Sequence, residues 1–164
     1  MTPELRFLVD RMLGPLTRYL RLLGYDTESA DCLPPGNPKE DTELLRWAER
    51  EGRILLTRDR ELAGRAGDRG IYIGEKEILD QLSFLKDRGL IDLPVRLIRC
   101  SICNTLLEDA PEEEIRIADY VPAEQGDHSF RWCPSCRRLY WMGSHTDDII
   151  GRMETLSHRS EKAP

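Results

Sequence analysis

The sequence lacks any long hydrophobic run. No stretch approaches the roughly 18 apolar residues that a bilayer-spanning helix requires. The opening MTPELRFLVD sets two acids and one base in a short apolar segment, without the basic leader and apolar block of an export signal. A cytoplasmic location is therefore expected. Glycine-rich phosphate cradles of the GxxxxGK[ST] or GxGxxG kind are missing too, which disfavours a phosphatase that grips a small molecule by its phosphate. Positive charge is not in excess. A net charge of −6 disfavours a broad electrostatic grip on nucleic acid, but not a local one. Residues 1–96 hold 16 Lys+Arg against 18 Asp+Glu and the remainder 8 against 12, so the excess sits mostly between Glu108 and Asp119 and in the tail. Internal repeats and low-complexity tracts are absent.

What is present suits a folded chain. With 164 residues, 40% hydrophobic and 33% charged, there is material for one ordinary core and a small satellite. LRFLVD (5–10) reads as a buried strand ending in Asp10, and residues 12–24 carry Leu13, Leu16, Leu20 and Leu23 at helical spacing up to Gly24. A weak strand at 25–30 and a proline-rich loop follow. Next come a helix from Glu40 or Asp41 to Gly52, the strand RILLT (53–57), a short helix (58–67), the strand GIYIG (70–74) and a helix over 75–89. Strands alternating with helices predict an α/β fold whose parallel sheet is covered on both faces. The composition changes near Pro94. The expected division is a domain over 1–93, a second over 97–146 with β-like runs at 114–121 and 130–133, and a polar tail over 147–164.

Four of the five cysteines form the pattern C-x2-C-x29-C-x2-C: Cys100, Cys103, Cys133 and Cys136. Two such pairs make two knuckles and a closed four-sulfur shell, the donor set of a structural zinc ion. A redox reading would need a helix after one of the pairs, and neither shows a helical pattern. His128 and His145 are read as surface histidines and Cys32 as a loop thiol.

Asp10 ends the first strand, Asp41 opens the helix after the second, and Asp59 follows RILLT by one residue. In a parallel sheet these places share the carboxyl edge, where open α/β sheets put their sites. Converging carboxylates repel, and a hard cation such as Mg2+ or Mn2+ is their natural partner, suited to activating water against a phosphodiester. Glu61 and Glu43 are candidates for a fourth acid. An aspartate opening a helix is also a common N-cap, which accounts for Asp41 and Asp59 without chemistry.

Taken in order, FLVDRMLGPLTRYLRLLGYDT, DTELLRWAEREGRILLTRDREL, RCSICN, WCPSC and YWMGSH resemble the Mut-seven C-terminal RNase family, a PIN-like nuclease domain followed by a zinc ribbon. The resemblance spans residues 5–146, nearly the whole chain. It implies a PIN-like three-layer α/β/α sandwich and metal-dependent hydrolysis of RNA. By position, Asp10 matches the first acid of the PIN pattern, Asp41 the helix-start acid and Asp59 the acid of T-x-D. Glu61 stands where many PIN domains carry a further aspartate. Such domains often pair, so a homodimer is compatible, although no self-complementary apolar face is legible.

Arg11, Arg18 and Arg21 on or beside the first helix, and Arg58 beside Asp59, are candidates for meeting RNA phosphates, Arg18 and Arg21 being neighbours on one helix face. RWCPSCRRLYW sets Arg131, Arg137 and Arg138 among Trp132, Tyr140 and Trp141. That mixture serves single-stranded nucleic acid, and it equally serves a small ribbon that needs its aromatics as a core. The leading expectation is a cytoplasmic ribonuclease with a structural Zn2+ and a catalytic Mg2+ or Mn2+. The alternative is a non-catalytic RNA- or protein-binding adaptor that works through the ribbon.

Overall fold

The computed structural model describes residues 4–121 and 129–142, together with 151, 152 and 155. The expected histidines His128 and His145 and most of the tail lie outside the described residues. Strand β1 (Arg6–Val9) has Phe7, Leu8 and Val9 all sealed from solvent, so both faces of the strand need cover. It lies between β2 (Asp26–Ser29) and β3 (Ile54–Thr57), and β4 (Gly70–Tyr72) completes a sheet of order β2-β1-β3-β4 with every neighbouring pair parallel.

Helices cover both faces. On one side α1 (Gly14–Leu22) and α4 (Ile78–Asp87) pack Leu16, Leu20, Leu82 and Leu85 against Phe7, Val9 and Leu56. On the other, α2 (Glu40–Glu51) and α3 (Arg60–Ala66) pack Leu44, Ala48 and Leu62 against Leu8 and Leu55. The result is the expected three-layer α/β/α sandwich. Gly70 allows α3 to lie close on β4, since a Cβ there would stand 2.1 Å from the carbonyl oxygen of Ala63.

Beyond the sandwich, β5 (Glu108–Asp109), β6 (Arg131–Cys133) and β7 (Arg138–Tyr140) form a small antiparallel sheet. This is the ribbon. The β-like run expected at 114–121 is instead entered by a helix, α5 (Glu112–Ile117): Pro111 fixes the start and three glutamates fill the first turn, where the helix dipole favours negative charge. Among the described residues no helix is long and apolar enough to cross a membrane.

The ribbon is fastened to the outer edge of β2. Asn104, in the left-handed conformation at φ 69°, accepts from the free Thr27 amide through Oδ1 (3.1 Å). Its Nδ2 donates to Asp26 (2.8 Å) and Glu28 (3.1 Å). One side chain thus satisfies an edge strand that would otherwise present an open amide.

Candidate active site and metal centre

The chain enters the sheet at β1, moves outward to β2, then crosses back to β3 on the other side of β1. That reversal leaves a crevice beyond the carboxyl ends of β1 and β3, the place where open α/β sheets bind ligands. Asp10 directly follows β1 and its amide still donates to Leu56 of β3 (3.0 Å). Its carboxylate is held from two sides, Oδ1 accepting from the Arg11 amide (2.8 Å) and Oδ2 from the Thr57 hydroxyl (2.7 Å). The same Thr57 oxygen accepts from the Asp59 amide (3.0 Å), so one threonine at the end of β3 sets two acids.

Asp59 is the N-cap of α3, with Oδ1 accepting from Glu61 (2.9 Å) and Leu62 (3.2 Å). The capping explanation therefore holds for Asp59, while Oδ2 takes no hydrogen bond among the described residues. Asp41 is different: it stands inside the first turn of α2, whose N-cap is Lys39. Its carboxyl is raised above the usual range, first by burial and then by the charges of Asp10 and Asp59, against a lowering pull from Arg65. The charges of Asp10 and Asp59 are thus both felt at Asp41. Asp10 is buried, Asp41 half-buried and Asp59 exposed. Glu61 is exposed two residues past the cap, and Glu43 accepts from Asn37 in the solvent.

The candidate cations divide. Arg18 is exposed and Arg58 half-buried. Arg11 clamps Glu40 through Nε (2.9 Å) and Nη2 (2.7 Å) and also donates to Leu33 (2.8 Å), which joins the start of α1 to α2. Arg21 corrects the expectation of a solvent-facing pair with Arg18. It is buried, and it donates from Nε to the Thr27 carbonyl (2.8 Å) and from Nη1 to those of Ile102 (2.8 Å) and Ser101 (3.3 Å). A helix-face argument places Arg21 beside Arg18 but has no means of seeing a ribbon residue 81 positions away. Arg65 was not legible as a residue acting on Asp41, and Thr57 entered only as the threonine of T-x-D; its bond to Asp10 comes from the pairing of β1 with β3.

In the ribbon, Cys100, Cys103, Cys133 and Cys136 place their sulfurs all within 4.8 Å of one another. A tetrahedron of Zn–S bonds near 2.3 Å has edges of about 3.8 Å. The measured edges are 3.8 Å for Cys100–Cys136 and 3.5 Å for Cys103–Cys133, far too long for disulfides. Burial opposes the charged form of Cys103, but hydrogen bonding with Thr105 and its neighbouring cysteines prevails and brings the thiol down to about 6. Cys136 is pushed up to about 12 by its contact with Cys103, then by burial. Four sulfurs this crowded suit a site completed by a cation. Tyr140 adds its hydroxyl 3.0 Å from Cys100 Sγ, a second shell that sequence spacing did not reveal. By contrast, the three aspartates are not drawn together as tightly as the four cysteines, as repelling carboxylates would not be.

The aromatics of the ribbon are mostly its core. Trp132 is buried with Phe130 and Leu139, and Tyr140 is tied to the first knuckle. Arg131 pairs with Asp109 and Arg137 with Glu114.

A family model described as the Mut7-C RNAse domain matches residues 5–153. The chain belongs to this family. The match takes in both the sandwich with its three aspartates and the four-cysteine cluster, and a nuclease-like role follows from the family's description. Neither a curated protein nor a solved structure matches the chain.

Proposed function

We propose that the chain is a metal-dependent ribonuclease that hydrolyses phosphodiester bonds of single-stranded RNA at the crevice between β1 and β3. The observation that carries this reading is that Asp10 after β1 and Asp59 after β3 stand at the ends of neighbouring strands at a topological switch point, joined through the Thr57 hydroxyl, with their charges raising the carboxyl of Asp41. Such a donor set of oxygens suits a hard divalent ion that binds through few protein groups and keeps its waters. Asp10, Asp41 and Asp59 would hold Mg2+ or Mn2+, with Glu61 reaching it through water. When bound, that ion supplies Lewis acidity and a water of lowered pKa.

The chain's own residues do the positioning. Thr57 orients Asp10 and holds the backbone of Asp59 in place, so two of the acids move as one unit. Arg58, beside Asp59, is a candidate for the phosphate, as is exposed Arg18. Arg11 is engaged with Glu40 and Arg21 with the ribbon, so they act on RNA only through the groups they hold in position. Residues 1–93 are read as the nuclease domain and 97–146 as a ribbon that carries Zn2+ on its four cysteines.

The test is cleavage of a labelled single-stranded RNA by the zinc-loaded chain in Mn2+, beside Asp59→Asn and Asp10→Asn. Asparagine serves as an N-cap as well as aspartate does, so Asp59→Asn keeps the fold while losing the charge. Cleavage is expected to fall by about 100-fold or more in both variants, on the order of a lost electrostatic contact in a catalytic site. Cleavage by Asp59→Asn equal to that of the native chain would sink the assignment. RNA binding with no Mn2+-dependent turnover would favour the adaptor.

A further inference from the structure

A cleft of about 610 Å3 separates α1 from the first cysteine knuckle, with walls drawn from both the sandwich and the ribbon. Its near end is marked by Gly14 and Asp31. Gly14 lines it one turn beyond Asp10, where a Cβ would stand 3.4 Å from Asp31, and Asp31 in turn lies 3.6 Å from the Arg11 guanidinium. Its far end shares Ile102 and Arg138 with a second cleft of about 380 Å3 that is bounded by Tyr120 and Arg137. The two adjoin along this shared wall and make one track from Gly14 to the ribbon surface, where Tyr120 is half exposed and stacked on Trp141 at 6.1 Å.

Two arginines distinguish this track. Arg18 lines it from α1 and Arg138 from β7; both are exposed, and neither guanidinium makes a hydrogen bond or ion pair among the described residues. Arg11, Arg21, Arg53, Arg131 and Arg137 all have partners. The two carboxylates on the same wall are already engaged, Asp31 by Arg11 and Glu28 by Asn104 (3.1 Å). In a chain of net charge −6, two free guanidiniums facing one cleft from opposite walls form a local site for a polyanion.

We propose that this cleft is a strand-holding subsite in which Arg18 and Arg138 meet the phosphodiester backbone of single-stranded RNA, with Tyr120 beyond them as a surface for a base to stack on. The identity of the strand as RNA rests on the nuclease reading above; the subsite itself needs no metal at the acids. Because one arginine belongs to the sandwich and the other to the ribbon, the site exists only while the two are docked.

The experiment is fluorescence anisotropy of a labelled single-stranded RNA titrated with the full zinc-loaded chain carrying Asp59→Asn, alone and combined with Arg18→Glu, Arg138→Glu or both. Arg46→Glu, on the exposed side of α2, is the control for net charge. Each cleft variant is expected to weaken binding about tenfold and to reduce the slope of log affinity against log salt by about 0.7, the share of one phosphate contact on a single strand. Zinc content and melting temperature are measured alongside, so that misfolding is recognised, and Arg18→Gln and Arg138→Gln serve in place of any variant that misfolds. Losses no greater than that of Arg46→Glu, or no RNA binding by the native chain, would overturn the subsite. A chain that shows the losses yet never cleaves RNA keeps the subsite and removes the nuclease reading. A chain that cleaves in Mn2+ but shows no losses does the reverse.

Discussion

The sandwich and the ribbon bury their interiors by different means. In the sandwich, Phe7, Leu8, Val9, Leu16, Leu20, Leu44, Leu55, Leu56, Ile73 and Leu82 are all fully sealed, giving two apolar layers on either side of the sheet. Among the described residues the ribbon buries only Cys100, Leu107, Phe130, Trp132, Cys133 and Leu139 as its hydrophobic interior, and two of these six belong to the four-cysteine cluster. A unit this small buries little apolar surface to offset its chain entropy, and zinc on the four cysteines, as proposed above, would supply the difference. Stability in the sandwich is therefore spread over many side chains. In the ribbon it is concentrated at one point.

That contrast is sharpest when zinc is removed. Structural zinc contributes roughly 10 kcal/mol or more in small zinc domains at neutral pH. Chelation, or Cys133→Ser, is expected to erase hydrogen-exchange protection over 100–142 while β1 and β3 stay protected; equal loss in both regions would show that the sandwich cannot stand without the ribbon. The reverse perturbation is smaller. Leu55→Ala empties a fully buried site between β3 and α2 and should cost about 2–5 kcal/mol by denaturant titration. Zinc affinity is expected to stay unchanged, since no cysteine is touched.

The joint between the regions comes next. Arg21→Ala deletes three charge-assisted bonds to Thr27, Ser101 and Ile102 and leaves buried carbonyls behind, for an expected loss of about 2 kcal/mol. Calorimetry should then resolve two transitions in place of one. A single transition would mean that Asn104 and Arg96, which donates from Nη1 to the Leu23 carbonyl (2.8 Å) at the end of α1, suffice to hold the ribbon.

The smallest effect concerns Asp41. Its carboxyl lies above the ordinary 3.8, so between that value and the raised one the native state binds more protons than the unfolded chain. Stability therefore falls as pH rises through that window, and at neutral pH the ionised Asp41 is destabilising. Asp41→Asn is expected to raise the melting temperature by about 2 °C near pH 7 and to leave it unchanged well below pH 4. Added Mn2+ should stabilise the native chain and do little for the variant. A melting temperature lowered by the substitution would mean that Asp41 is not under strain from its neighbours.

Much of this arrangement was legible in the sequence because its signals are local. Apolar runs of strand length, leucines at helical spacing and glycine stops all lie within a few residues of what they determine, and the four sandwich strands fall where the pattern puts them. Two C-x-x-C pairs announce a tetrahedral cluster because each knuckle is closed by its own short loop. The run at 114–121 misled because its alternating Ile115 and Ile117 suit a strand, whereas Pro111 and the glutamates that follow it start a helix. Arg21 misled for a different reason. Its position on α1 is a local fact, but its burial depends on Ser101 and Ile102, 80 and 81 residues away.

By itself, then, the sequence determined the α/β class, the placing of Asp10 and Asp59 at strand ends, and the four-sulfur cluster, since all of these follow from spacing along the chain. Only the tertiary structure decided that β1 and β3 are neighbours with β2 outside them, that Thr57 links two acids, and that Asn104 closes the edge of β2. Those features rest on contacts between distant segments. Their loop-closure cost is met by packing, which local spacing does not report.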